Sequence, residues 1–208
     1  MKEQPFPSHP EGWRLKGGAV PRVPGHNAGV QISIRPEQPR DAPAITAVVE
    51  AAFGQRSEAL LVELLRASPC FIPELSLMAE IDERVVGHVM ITTAWIDDGD
   101  ERRPIANLAP LAVAPEHQRS GVGSALMRAV SAEAEARREP LVILQGNPRY
   151  YSRFGFEWSV PVGITMDLPD WAPREAAQVL KLGAYDPAIR GHVVLPSAFE
   201  ECELDQEQ

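Results

Sequence analysis

Gln118, Arg119, Ser120, Gly121, Val122, Gly123 and Ser124 stand between an apolar segment, "LAPLAV" at 108–113, and a segment of helical spacing that opens at Val122. The first turn of a helix carries backbone N–H groups with no intrahelical acceptor, and the helix dipole places partial positive charge there. Gly121 and Gly123 let an anion come close to the main chain, and Arg119 adds a cation. No acidic residue occurs from Gln118 through Ala132, although the whole chain has a formal charge of -9. Residues of these types in this order can grip a phosphate or pyrophosphate. A G-x-x-x-x-G-K-[ST] loop is excluded, because no Lys stands here. The dinucleotide pattern G-x-G-x-x-G also fails: Leu126 takes its last small position, and the next apolar segment, "LVILQG", ends without a carboxylate. The stretch "APEHQR" is in addition longer than the tight turn of a dinucleotide site.

The elements that must hold this loop are readable from periodicity. Ile32 and Ile34 alternate with polar residues as in a strand, and Asp41 precedes a helix with Ile45, Val48, Val49 and Ala52 on one face. Ser57 is a plausible N-cap for a second helix carrying Leu60, Leu61, Leu64 and Leu65. "LSLMAEID" and "RVVGHVMITTAWID" form a hairpin about Asp82 and Glu83. "IANLAPLAV" is a further strand, and Pro110, which has no N–H to donate to a ladder, predicts a bulge within it. After the loop, Val122, Leu126, Ala129 and Val130 mark a helix reaching Arg138, followed by the buried strand "LVILQG". That succession implies a crossover between parallel neighbours. "NPRYYSRFGFEW" reads as a short helix or turn ending at Gly155, and the remainder as one small helix with further strands. The expected class is α/β, an α+β mixed sheet covered by helices.

At 208 residues the chain suits one domain with decorated ends. Residues 1–29 read as an extended arm rich in Pro and Gly, residues 30–200 as the domain, and 201–208 as an acidic tail. The charge of -9 argues against a nucleic-acid surface, whose affinity rests on clustered Lys and Arg. Cys70 and Cys202 lack metal-ligand spacing, and no apolar run spans a bilayer, so the expectation is a cytoplasmic protein with neither a metal nor a membrane partner.

"LAVAPEHQRSGVGSALM" resembles the acetyl-CoA-binding motif of the GNAT superfamily of N-acetyltransferases, [QR]-x-x-G-x-[GA], here Gln118 to Gly123. "NPRYYSRFGF" is similar to the family's downstream motif, in which a Tyr, here Tyr151, stands four residues before Gly155 and Phe156. With "VVGHVMI" and "GAYDPAIRGHVVLPSAF", the chain looks most like the YhbS-like subgroup of predicted acetyltransferases, over about residues 30 to 200. The resemblance implies a GNAT-like fold, a largely antiparallel sheet splayed between its fourth and fifth strands with helices on both faces.

It further implies that main-chain amides of Gln118, Arg119, Ser120, Gly121, Val122, Gly123 and Ser124 bind the pyrophosphate of coenzyme A. Leu111, Ala112 and Val113 would pair with the pantetheine arm. The implied reaction is direct acetyl transfer from acetyl-CoA to an amine of a small molecule or peptide. The N–H of Leu111 would donate to the developing oxyanion, and Tyr151 would occupy the position of the leaving-group acid. A phenol of pKa about 10 giving its proton to a thiolate of about 8.5 is uphill by roughly 2 kcal/mol, which favours a hydrogen bond over full transfer. A packed ring with a bonded hydroxyl is the alternative for Tyr151, and Tyr150 is expected to be structural. No base is nominated: Glu80 and His88 lie on neighbouring strands whose inward face is not fixed by sequence, His117 reads as an exposed loop residue, and Arg149 and Arg153 as solvated flanks. A non-catalytic module that binds or senses coenzyme A, and an unrelated phosphate-binding α/β enzyme, stand as alternatives, with homodimerisation left open.

Overall fold

The computed structural model describes residues 31–206, so the expected arm at 1–29 and residues 207–208 lie outside the described residues. In chain order the elements are β1 (Ile32–Pro36), α1 (Ala42–Phe53), α2 (Ser57–Ala67), β2 (Phe71–Ile81), β3 (Arg84–Asp97), β4 (Arg102–Val113) and α3 (Val122–Ala136). There follow β5 (Leu141–Gln145), α4 (Pro148–Tyr151), β6 (Glu157–Trp158), β7 (Ile164–Thr165), β8 (Ala177–Lys181), β9 (Gly191–Val194) and α5 (Ala198–Gln206). The sheet runs β1-β2-β3-β4-β5-β8-β6, and β9 bridges β3 to β7. Its pairs are antiparallel except β4–β5 and β7–β9. The fold is the mixed sheet with covering helices that the periodicity calls for, and it is largely antiparallel, as the resemblance implies.

Strand alternation sorts the core into two faces. Leu77, Val89 and Leu111 pack with Val122, Leu126 and Val130 of α3, whereas their chain neighbours Met78, Met90 and Ala112 pack with Ile45 and Val49 of α1 and Val62 of α2. The period of two along each strand therefore decides which helix layer each side chain meets. A further cluster, including Ile105, Ile143, Ile164 and Val193, lies where β4 and β5 meet β7 and β9. The hairpin between β2 and β3 turns through Asp82 and Glu83 at φ 47° and 61°, the left-handed pair that a two-residue turn requires.

The expected bulge is present. Val89 opposes Leu111 and Ile91 opposes Leu108, so Ala109 and Pro110 together face Met90. On its other side β4 pairs with β5 at Ala106↔Val142 and Asn107↔Ile143, and the strands part beyond Asn107.

Four expectations need adjustment. Ser57 is the first residue of α2, not its cap; its hydroxyl donates to Glu58 Oε2 (2.8 Å), and Arg56 occupies the cap position without a side-chain bond. The strand expected from Leu75 begins at Phe71. Helix α3 stops at Ala136, and Arg138, expected within it, turns back at φ 61°. Residues 201–206, set apart on sequence as a tail, continue α5, whose Cys202 is buried with its thiol donating to Ser57 O at 3.1 Å.

A buried polar knot ties four of these elements together. Glu37, just after β1, accepts from Arg66 of α2 (Nε, 2.6 Å), from Ser76 of β2 (Oγ, 2.8 Å) and from His88 of β3 (Nε2, 3.0 Å). Burial disfavours the Glu37 charge, yet the hydrogen bonds from His88 and Arg66 outweigh it and hold the carboxyl at about 2. Burial also pushes His88 below its ordinary value, against the pull of Glu37, and the neutral ring donates an Nε2–H hydrogen bond to the carboxylate. Both groups bind fewer protons folded than unfolded in acid. Stability is thus fully present above about pH 6.5, the ordinary His value, and falls as pH drops, with Glu37 adding to the loss below 4.5. Urea unfolding between pH 7.5 and pH 5 will show this decline, up to about 1.4 kcal/mol per pH unit for one proton. The His88→Gln variant will show a flatter profile over the same window.

Candidate active site

The parting of β4 from β5 opens a cavity of about 700 Å³ on the sheet face opposite α3. Its floor is Asn107, Leu108, Ala109, Pro110 and Leu111 of β4, with Gln145 and Gly146 at the end of β5. Phe53, Glu58 and Leu61 wall it on one side, and Met166, Trp171 and His192 on the other. Leu111 borders the cavity while its side chain packs in the α3-side core. Ala112 and Val113 are fully buried.

The glycine loop is built as a cradle. Arg119 and Gly121 take left-handed φ of 57° and 100°, a combination that turns successive N–H groups toward one side. Only glycine holds φ 100° without strain, and a Cβ placed on Gly121 would meet nothing within 4 Å, so the space above it is open. Val122, Gly123 and Ser124 form the first turn of α3, whose N–H groups have no intrahelical acceptor, and among the described residues no turn or cap bond engages them. Ser120 braces the loop through its hydroxyl to His117 O (2.6 Å). Gln118 turns its side chain back, Nε2 donating to Val113 O at 3.3 Å, so it fastens the loop to the end of β4. Arg119 is exposed at the loop's rim. Open amides, a nearby cation and the absence of carboxylates are what a pyrophosphate requires, and the unpaired run of β4 offers an edge to a chain lying beside it.

Tyr151 is fixed by its own neighbourhood. Asn147 caps α4, accepting from the Arg149 amide at 3.0 Å, and Pro148 starts the turn. The turn sets the Tyr151 ring over Gly146, where an added Cβ would overlap ring Cε2 and sit 2.8 Å from Cδ2. Gly146 is itself clamped, its N–H to Ala176 O (2.9 Å) and its carbonyl to Gln178 Nε2 (3.0 Å). Tyr150 packs edge-on to Tyr151 at 4.8 Å under the guanidinium of Arg153, away from the cavity lining. The Tyr151 ring is both buried and part of the cavity wall. Burial raises its pKa above the ordinary value of 10.0, so the phenol remains a neutral donor.

Residues 33–159 match the acetyltransferase (GNAT) domain model. The chain belongs to the GNAT acetyltransferase family. It is 34% identical over 159 residues to the Escherichia coli K12 protein YhbS, described as an uncharacterised N-acetyltransferase, spanning 76% of this chain and 90% of that relative. It is 39% identical over 118 residues to YjhQ of the same organism, also described as an uncharacterised N-acetyltransferase; that match spans 56% of this chain and 65% of YjhQ. The fold is similar to the crystal structure of E. coli YhbS in complex with CoA, with TM-score 0.74 and 29% identity, covering 84% of this chain and 94% of that one. A Brucella melitensis GNAT family acetyltransferase in complex with acetyl-CoA gives TM-score 0.65 at 30% identity, covering 81% and 98%. The GNAT resemblance read from Gln118 to Gly123 and around Tyr151 therefore holds.

Neither acid–base candidate left open on sequence reaches this GNAT cavity. His88 is consumed in the Glu37 knot, and Glu80 pairs with Arg35 at 2.9 Å. His117, expected to be exposed, is half-buried. Two residues that sequence reasoning missed do line it. Asn107 is the one uncharged polar side chain in "IANLAPLAV", a signal that was readable; His192 is brought in by β9 through long-range pairing that leaves no local signature. His192 sits between Thr165 Oγ1 (3.1 Å from Nδ1) and Asp167 Oδ2 (3.2 Å from Nε2), so both ring nitrogens are occupied. Among the described residues no group of three metal-ligating side chains is assembled, and no helix is long and apolar enough to cross a membrane. Replacing Gly146 by Ala will lower stability by about 1–3 kcal/mol and displace the Tyr151 ring, read as a lower denaturation midpoint and an altered near-ultraviolet circular dichroism band.

Proposed function

We propose that this GNAT domain is an N-acetyltransferase that moves the acetyl group of acetyl-CoA to a primary amine of a small molecule or peptide, both substrates being bound together. The observation that carries the reading is the coincidence, around one break in the sheet, of a cradle of open amides, an unpaired strand edge and a buried phenol. Acetyl-CoA, when bound, would supply an activated acetyl thioester: the neutral amine attacks its carbonyl carbon, a C–N bond forms as the C–S bond breaks, coenzyme A departs as its thiolate and the proton lost from nitrogen passes to solvent. Amides of Gly121, Val122, Gly123 and Ser124 hold the pyrophosphate, with Arg119 contributing charge and Gln118 and Ser120 keeping the loop in shape. Leu111, Ala112 and Val113 hold the pantetheine arm through their main chain. The N–H of Leu111 donates to the oxygen on which negative charge develops; a main-chain donor needs no reorganisation and is insensitive to side-chain identity.

Tyr151 serves the departing sulfur as a hydrogen-bond donor. Its raised pKa keeps the proton on the phenol throughout the working range, which suits a donor and disfavours complete transfer. The Tyr151→Phe variant will lose turnover by about tenfold or more while its stabilisation by coenzyme A is unchanged. Wild-type turnover will show no alkaline loss from this group below pH 10, the ordinary phenol value. Thiol release from acetyl-CoA over polyamines, amino acids, aminoglycosides and peptides measures the first outcome. Unchanged turnover in Tyr151→Phe would remove the donor role, and silence across all amines would favour a coenzyme A sensor. Gly121→Ala, strained at φ 100°, will raise KM for acetyl-CoA more than it lowers kcat.

A further inference from the structure

We infer that the acceptor is a primary monoamine, a single ammonium on a compact apolar body with no carboxylate, whose nitrogen is held by Asn107 at the foot of the cavity. The inference rests on the acetyltransferase reading and narrows its substrate.

Asn107 is the last residue at which β4 pairs with β5, it is 3% exposed, and it lies in the cavity lining. Its carboxamide makes no hydrogen bond among the described residues, and the amide nitrogen is buried without a partner. Directly opposite it on β3 stands Thr92, wholly buried, whose hydroxyl is likewise without a partner. Leaving such a group unsatisfied costs about 1–3 kcal/mol, so the Asn107 carboxamide in the cavity lining, with the Thr92 hydroxyl outside the lining unable to complete its bonding, marks a place for an incoming polar group. An amide bound to nothing can turn either end toward the cavity, and its oxygen accepts an ammonium N–H. The site is beside the break at which Leu111 is proposed to face the acyl oxygen, which is where an attacking nitrogen must be.

The walls decide the rest of the molecule. Phe53, Leu61, Met166, Leu168 and Trp171 offer an apolar body a place to rest. The charged lining residues near the mouth are the carboxylates Glu58, Asp167 and Glu200, with no Lys or Arg in the lining. Among the described residues none of the three is ion-paired with Lys or Arg: Glu58 accepts from Gln55 and Ser57, and Asp167 from His192. Such a field attracts an ammonium ion and opposes a carboxylate carried on the same molecule. A short diamine such as putrescine, with one nitrogen at Asn107, carries its second charge among these apolar walls, where it has no partner.

Titration calorimetry of the full chain saturated with coenzyme A tests this with 3-methylbutylamine and 2-phenylethylamine against leucine, phenylalanine and putrescine. Both monoamines will bind about tenfold or more tightly than the amino acids and the diamine, and their affinity will fall as salt is raised. Asn107→Leu will weaken monoamine binding about tenfold while the thermal shift given by coenzyme A is retained. Exchanging Glu58→Gln and Glu200→Gln together, at positions outside the packed core, will weaken binding about threefold or more and flatten its salt dependence. The amine series and this exchange remain decisive even where Asn107→Leu does not fold. Equal or tighter binding of phenylalanine or putrescine overturns the inference, as does unaltered affinity in folded Asn107→Leu. If coenzyme A stabilises the protein and no monoamine binds, this inference falls and the acetyltransferase reading stands. If coenzyme A itself gives no stabilisation, that reading falls first.

Discussion

Main-chain hydrogen bonding along β4 is the constraint from which the rest of the architecture follows. Every buried backbone N–H and C=O needs a partner, and a central strand normally finds both in its neighbours. Here the two-for-one opposition of Ala109 and Pro110 to Met90 breaks the ladder toward β3, and the separation from β5 beyond Asn107 removes the ladder on the other side. A strand left in this condition inside a protein must border either water or a ligand with its own amides. The cavity of about 700 Å³ lies against this stretch, and under the proposed function the pantetheine arm takes the place of the missing strand.

The elements around the break serve to keep it open. Helix α3 must start close to the sheet for its first amides to face the same region, and Val122 and Leu126, both wholly buried, hold that end down while Gln118 fastens the preceding loop to Val113 O. On the opposite face, the Glu37 knot pins α2 to β2 and β3 through groups that are expensive to bury unless every partner is present. Removing one member leaves a charge without its counterpart, so the knot acts as a unit, and its cost in acid is the cost of protonating it.

How much of this was legible in the chain follows from how local each feature is. The glycine loop was legible because an anion cradle at a helix start needs only contiguous residues, and the bulge because a proline inside an apolar strand withholds a ladder N–H and so interrupts the pairing wherever it stands. Tyr151 was legible as a position but not in orientation, which depends on Gly146 and, through Gln178, on β8 about thirty residues away. The role of Ser57 was misjudged because a serine before a helical pattern satisfies the capping rule whether it stands outside the helix or one residue within it. His88 could not be placed because the face of a strand residue follows from register, and register here is shifted twice along β2. The wall formed by β7 and β9 is the least local part: two short strands pairing across 27 residues, with no periodicity of their own.

Charge completes the logic of a two-substrate site. The chain is acidic overall at -9, yet the stretch from Gln118 to Ser124 carries Arg119, open amides and no carboxylate, while the cavity on the opposite face carries Glu58, Asp167 and Glu200 and no Lys or Arg. Under the proposed function, a polyanionic donor is favoured at the loop and a cationic acceptor at the cavity. Under that reading the two meet where the sheet is interrupted, at Asn107 and Leu111, both buried, where charges are less screened than in bulk water. An ammonium ion reaching that point leaves solvent and moves away from the rim carboxylates, both of which favour its neutral form, the one with a lone pair to donate. Under the proposed reading, the same separation of charge that sorts the substrates also lowers the cost of releasing the ammonium proton to solvent, so that a basic side chain in contact with the amine is not required as its acceptor.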